Sequence, residues 1–430
     1  MKVCVFGLWH LGSVTAACLA SKGIETVGLD PDADTVAGLG AGTAPLFEPG
    51  LDRLLAGAIE SGKLAFTGDA SAAVSTADLV WVTFDTPVND DDQADVSFVQ
   101  DQIEGIFPYL KDGAIVLVSS QMPVGSVAEL ERRFLPQANG REVQFACSPE
   151  NLRLGKAIDV FTNPGRIVIG ARDDRVRRKL EPLLSNFCKE QIWISVESAE
   201  MTKHAINAWL ATSVTFINEI ASLCERTGAN ASEVETAMRS EPRIGRKAYI
   251  RPGSAFAGGT LARDVAFLNI LADRDGLQLP LLGGILPSNR LHDQWSFNQI
   301  RRKVGNLQGQ DISILGLSYK PDTSAIRRSS AITLIRNLLK EGAHVSAFDP
   351  QVKKLPADLD SVRLASSPAT AASGACCLVI ATEWPDFRDL DLDHVTRSMG
   401  RRLIVDQNGF LAANAAAIQG VELVSLGVSS

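Results

Sequence analysis

Short, β-branched apolar runs that alternate with helical segments constrain this chain more than any other feature. KVCVFGL, ETVGLD, LVWVTF, AIVLVSS and VQFACS follow one another in the first half, with a helix expected from about Ser13 to Lys22 after the first of them. Strands spaced in this way predict a parallel sheet with helices on both faces. From Ser198 to about Arg226 the pattern becomes one long helix, with Met201, Ala205, Ala208, Leu210, Val214, Ile217, Ile220 and Leu223 at helical spacing. Pro242 and the glycines of RPGSAFAGG then interrupt it, in a loop suited to close approach of a ligand, and further helix leads to about Asn306. A second alternating unit follows: DISILGLSYKP, the helix ITLIRNLLKEG, HVSAFDP, CCLVIAT and RLIVDQNG. The boundaries expected from this reading are 1–197, 198–306 and 307–430.

With 430 residues, 45% of them hydrophobic, the chain has length and apolar content for several buried cores. Its net charge of -8 argues against a nucleic-acid footprint or a polybasic membrane patch, so a phosphate-bearing ligand must be held locally. No apolar stretch reaches membrane-spanning length, and the opening MKVCVFGLWHLG runs straight into a strand without a signal pattern. The expectation is a cytoplasmic protein. Seven scattered cysteines suit reduced, buried thiols, and five histidines without a C-x-x-C pair predict no metal site.

The first strand leads into Gly7-Leu8-Trp9-His10-Leu11-Gly12 and then a helix, where the phosphate-binding turn of a Rossmann unit sits. Gly7 permits the tight turn, Gly12 permits close helix–strand packing, and the helix N-terminus offers free N–H groups to a pyrophosphate. Trp9, however, stands where the middle glycine is usual. Asp30 ends the second strand at about the 20-residue interval of an acid that bonds an adenosine ribose, which favours NAD over NADP. The bland alternative is a structural glycine turn and an Asp30-Pro31 turn. The order of strand, turn, helix and acid favours cofactor binding. The fold expected is α/β: two Rossmann-like, doubly wound parallel-sheet domains joined by a central helical domain.

Seven segments, in order, carry a resemblance to the UDP-glucose/GDP-mannose dehydrogenase family over nearly the whole chain. They are FEPGLDRLL, PVG at Pro123, SPENLRLGKAIDVF, EMTKHAINAWLATSVTFINEIA, GSAFAGGTLARD, LSYKPDTSAIRRSSA and ATEWPDF. The resemblance implies NAD on the N-terminal domain, a nucleotide sugar on the C-terminal one, chemistry in the cleft between them, and a homodimer formed through the central helix. It also implies oxidation of a carbon-6 alcohol through the aldehyde to the acid.

By the same resemblance, Lys203 and Asn207, four apart on the central helix, hold the reacting oxygen and a water. An ammonium stabilises developing alkoxide charge, and an amide donates without titrating. On composition alone a solvated lysine and a locally bonded asparagine would suffice. Asp264 matches the aspartate that works with that lysine in proton transfer, although a loop aspartate capping the following helix is the structural alternative. Glu150 matches an acid–base glutamate. Thr86 and Gln121 fall in the cofactor set; Leu152, Arg243, Tyr249, Phe256, Gly258, Lys320 and Arg327 fall with Glu150 in the substrate set. Surface ion pairs are the alternative for the basic ones.

The departures bear on chemistry. Thr260 stands at the position of the family's nucleophilic cysteine, and a threonine hydroxyl is far less acidic than a thiol. Leu154 replaces a glutamate, Gln121 a threonine, Ala262 and Arg263 a proline and lysine, and Ser324 and Ala325 two acids. The usual arginine is absent at Gln407 and Asn408. These changes favour one hydride transfer, stopping at an aldehyde of a nucleotide sugar or nucleoside. Oxidation to the acid through an aldehyde hydrate, a β-hydroxyacid dehydrogenase and a non-catalytic nucleotide-sugar binder are the alternatives.

Overall fold

The computed structural model describes residues 1–87, 94–150, 152–257 and 259–428. The chain divides into two compact units, Met1–Ile206 and Asn207–Ser430.

The first unit is built on an eight-stranded sheet of order β3-β2-β1-β4-β5-β6-β7-β8. Its strands are β1 (Val3–Phe6), β2 (Thr26–Leu29), β3 (Leu64–Thr67), β4 (Leu79–Val82), β5 (Ile115–Val118), β6 (Gln144–Cys147), β7 (Ile167–Ala171) and β8 (Gln191–Ile194). In β1, β4 and β5 every residue is buried, because helices cover both faces. The period of two shows in the packing. Val3 and Val5 join one core cluster and Cys4 and Phe6 the other; Ile115 and Leu117 likewise part from Val116 and Val118.

Two expectations are corrected here. The first helix runs His10–Ser21 and so begins three residues earlier than expected, because Gly7, at φ 94°, turns the chain directly from strand to helix. The sheet is not wholly parallel, since β7 runs antiparallel to β6, pairing Cys147 with Gly170. Between those strands, among the described residues, lies the six-residue helix Ala157–Thr162. The edge strands β3 and β8, and β7 beside β8, escape the sequence pattern because they are only partly buried.

The second unit carries a six-stranded parallel sheet of order β11-β10-β9-β12-β13-β14. The strands are β9 (Asp311–Leu315), β10 (His344–Phe348), β11 (Arg363–Leu364), β12 (Cys377–Ile380), β13 (Leu403–Asp406) and β14 (Glu422–Val424). Counted from each unit's first strand, this is the order of the first six strands in the other sheet. The turns after the first strands also repeat. Gly316 has φ 92°, and Leu317 N donates to Asp349 Oδ2 at 2.7 Å, just as Leu8 N donates to Asp30 Oδ2 at 2.6 Å. Helical residues Ala221, Cys224, Trp295 and Ile300 share a core with Ile312, Ile314, Val379 and Val405 of this sheet.

The long helix runs Val196–Thr227. Among the described residues, no helix is long and apolar enough to cross a membrane. All seven cysteines are free. Cys188, expected to be buried, lies before β8 and is only partly buried, with Sγ 3.5 Å from the Glu190 carbonyl.

Candidate active site

In the first unit, the glycines of the turn are required by space. A Cβ at Gly12 would overlap the Gly7 carbonyl oxygen, and Thr83 Oγ1 already donates to that oxygen at 2.7 Å. The helix that begins at His10 has no side-chain cap at Trp9 and no acid in its first turn. Its N–H groups therefore remain available to an anion. Trp9 has φ -67°, so a side chain is tolerated there without strain, and its indole is exposed. Leu11 and Gly12 are buried beneath the turn.

Asp30, buried at the end of β2, accepts Leu8 N on one oxygen and Asp32 N on the other. A carboxylate offers about four acceptor positions, which leaves capacity for ribose hydroxyls. Farther along the sheet, Thr86 is buried and donates through Oγ1 to the Gln121 carbonyl at 2.5 Å, joining the loops after β4 and β5. The turn, the uncapped helix and the acid together fit a dinucleotide.

Lys203 and Asn207 lie one turn apart on the helix Val196–Thr227. Within the first unit, Lys203 Nζ donates to the Glu150 carbonyl at 2.7 Å, and the Glu150 carboxylate accepts Leu152 N. Next to them Glu200 accepts Gly125 N at 2.7 Å and Val127 N at 2.9 Å. Burial raises the Glu200 carboxyl above its ordinary range, and the two backbone donors only partly oppose this.

Within the second unit, Asn207 Nδ2 donates to Asp264 Oδ2, and both side chains are buried. Asp264 is not a loop residue capping a helix. It lies inside the helix Thr260–Arg274, one turn beyond Thr260, because that helix starts directly after Gly259. Thr260, its first residue, is exposed. Gly258 lies outside the described residues.

The same unit holds a cavity of about 590 Å³. Of the expected substrate residues, Tyr249, Phe256 and Lys320 line it. Phe256 is fixed by its backbone, which exchanges two hydrogen bonds with the Asn289 amide. Arg243 is exposed, pairs with Glu241 and does not line the cavity; nor does Arg327, which is also exposed.

Sequence reasoning missed several residues. Arg239, Arg251 and Glu383 line the cavity, and Arg251 bonds Glu383 at 2.9 Å and the Asn408 carbonyl at 3.2 Å. Asn408 Oδ1 in turn accepts Ser254 N at 2.6 Å, which ties the two loops. Arg328, at φ 57°, lays its guanidinium against Gly259, where any side chain would collide with it. In the first unit Glu48 is buried and accepts His10 Nε2 at 2.9 Å and the N–H groups of Gly155 and Ala157, each at 2.8 Å. An acid beside the Pro-Gly of FEPGLDRLL was the only hint of that anchor.

Comparison with known proteins agrees with this geometry. Residues 1–188 match the NAD binding domain of the UDP-glucose/GDP-mannose dehydrogenase family, 197–290 its central domain and 313–413 its UDP binding domain. A UDP-glucose 6-dehydrogenase of Rhizobium meliloti is 34% identical, over 99% of each chain. One from Pseudomonas aeruginosa is 32% identical, over 96% of this chain and 94% of its own. The solved structure of a UDP-glucose dehydrogenase from Pyrobaculum islandicum superposes with a TM-score of 0.86 at 30% identity, covering 94% of this chain and 93% of its own. The chain belongs to the UDP-glucose/GDP-mannose dehydrogenase family and is an NAD-dependent oxidoreductase acting on a CH–OH group.

Proposed function

We propose that this protein oxidises the primary alcohol at carbon-6 of a nucleotide sugar, or its counterpart on a nucleoside, by one hydride transfer that ends at the aldehyde. The observation that carries this reading is Thr260: an exposed hydroxyl opens the helix that also carries the buried Asp264, to which Asn207 donates. A hydroxyl of ordinary acidity does not add to an aldehyde as a thiolate does, so no covalent route to the acid opens there. Cys147, on β6, offers no substitute, because burial pushes its thiol far up and keeps it protonated.

NAD, held by the Gly7–Gly12 turn and Asp30, supplies the hydride acceptor. The Lys203 ammonium steadies negative charge on the reacting oxygen, and Asn207, kept in place by Asp264, donates to the same oxygen. Glu150 is the neighbouring acid–base group. Thr86, Gln121, Trp9, His10, Leu11 and Gly12 complete the cofactor contacts. In the other unit, Tyr249, Phe256 and Lys320 hold the nucleotide sugar together with Arg239 and Arg251, whose charges suit a diphosphate. Among the described residues Lys320 makes no ion pair, which leaves its ammonium to a ligand. Arg243, Arg327, Leu152 and Gly258 belong to the same proposed set.

The functional division follows 1–197 for the cofactor, 198–306 for dimerisation and 307–430 for the nucleotide sugar. A homodimer through the helical part is supported by exposed Trp209, Phe216 and Leu223, seven residues apart along one helix. The free cysteines support a cytoplasmic setting.

Product stoichiometry tests the reading. UDP-glucose and related nucleotide sugars should yield one NADH each, with an aldehyde trapped by hydroxylamine. Two NADH and a uronic acid would overturn the single-step assignment.

A further inference from the structure

A small cavity of about 30 Å³ lies within the first unit beside the loops that follow β5 and β6, and Ser120, Glu150, Glu200 and Lys203 are among the residues that wall it. Its two serine neighbours differ in how they are satisfied. Ser119 Oγ accepts Trp81 Nε1 at 2.8 Å and donates to the Ser148 carbonyl at 2.6 Å. Ser120 is 8% exposed, yet its Oγ meets no partner among the described residues. A buried hydroxyl left unpaired is costly, and native proteins keep one where a water or a functional step completes the bond. The cavity exceeds the roughly 10–15 Å³ that admits one water.

We propose that Ser120 is a positioning residue that holds a water in this cavity, and that this water takes the alcohol proton away from the reacting oxygen. The inference rests on the alcohol oxidation argued above. Oxidation of R–CH2–OH breaks one C–H bond, whose hydride goes to NAD+, and one O–H bond, whose proton must leave as the C=O bond forms. That proton passes to the water, which gives one of its own to the Glu150 carboxylate and so to solvent. Glu200 ties down the loop after β5 through both its oxygens, so a proton taken there would weaken two backbone hydrogen bonds. Among the described residues Glu150 commits only Oε2, to Leu152 N, which leaves Oε1 to the water. The Lys203 ammonium at the cavity wall favours the oxygen that sheds the proton.

The test uses the full chain with NAD and UDP-glucose. Ser120→Ala removes one oxygen from the wall. Its single-turnover rate of NADH formation should fall about 10- to 100-fold, toward the low end of what a positioned proton acceptor contributes. The solvent deuterium isotope effect should rise, while calorimetric affinities for NAD and UDP-glucose stay within about twofold. Ser120→Thr, which keeps the hydroxyl, should retain most of the rate. An unchanged rate and isotope effect in Ser120→Ala would overturn the proposal, as would a loss confined to affinity. A crystal structure of the unaltered protein should show a water within hydrogen-bond reach of Ser120 Oγ, and a dry cavity would also overturn it. If the unaltered protein forms no NADH from UDP-glucose or GDP-mannose, the alcohol-oxidation reading itself falls and takes this one with it.

Discussion

Lys203 and Asp264 are held by different means, and the difference predicts how each responds to change. Lys203 reaches out of its helix to a backbone carbonyl, that of Glu150, which orients its ammonium. Asp264 is wholly buried inside a helix and is tied to the Asn207 amide. Lys203→Ala should therefore fold normally, bind NAD with wild-type affinity in calorimetry, and lose at least about 100-fold in single-turnover NADH formation. Full turnover by that variant would remove Lys203 from the chemistry. Both residues were legible from their family segment. The role of Asp264 as a buried helical partner was not, because nothing in GSAFAGGTLARD shows where the helix starts. Arg251 and Asn408 were equally hidden, since their contact joins positions 157 residues apart.

At the scale of elements, the two strand–turn–acid modules behave alike in backbone and differently in use. In the first, Gly12→Ala would drive a methyl into the Gly7 carbonyl. NAD affinity should fall at least about tenfold, in line with a loss of 1.4 kcal/mol or more, while UDP-glucose affinity, seated in the other unit, stays unchanged in calorimetry. In the second, burial alone would lift the Asp349 carboxyl. The N–H groups of Leu317, Gln351, Val352 and Ser318 outweigh that and hold it below the usual aspartate range. A carboxyl that binds its proton more weakly when folded stabilises the fold above the ordinary aspartate range, and this contribution is lost as pH falls below about 5. Asp349→Asn should flatten the acid side of a Tm-against-pH curve; an unchanged acid slope would show that other groups carry it. The inner strands were legible because both of their faces are apolar. The edge strands were not, since partial burial leaves them a mixed composition.

For the whole molecule, the strongest prediction concerns assembly. Trp209 is 70% exposed, Phe216 46% and Leu223 61%, an apolar row along the helix Val196–Thr227 of the kind that marks a contact surface. With the proposed homodimer, Trp209→Asp with Leu223→Asp should sediment as a monomer where the unaltered protein sediments as a dimer, and a double variant that sediments as the unaltered protein would exclude this helix as the contact. What the amino-acid order determined by itself was local: glycines placed where a turn demands positive φ, an acid at the end of the second strand, apolar runs of strand length, and a threonine rather than a cysteine after Gly259. These depend on residues near one another in the chain, so spacing and side-chain type suffice to read them. Only the tertiary structure decided which groups are satisfied: His10 on Glu48, Asn408 on the loop at Ser254, Asn207 on Asp264, and Ser120 left without a partner among the described residues. Hydrogen bonding between distant segments follows from how the layers pack, and burial, which makes an unpaired hydroxyl expensive, exists only once they have packed.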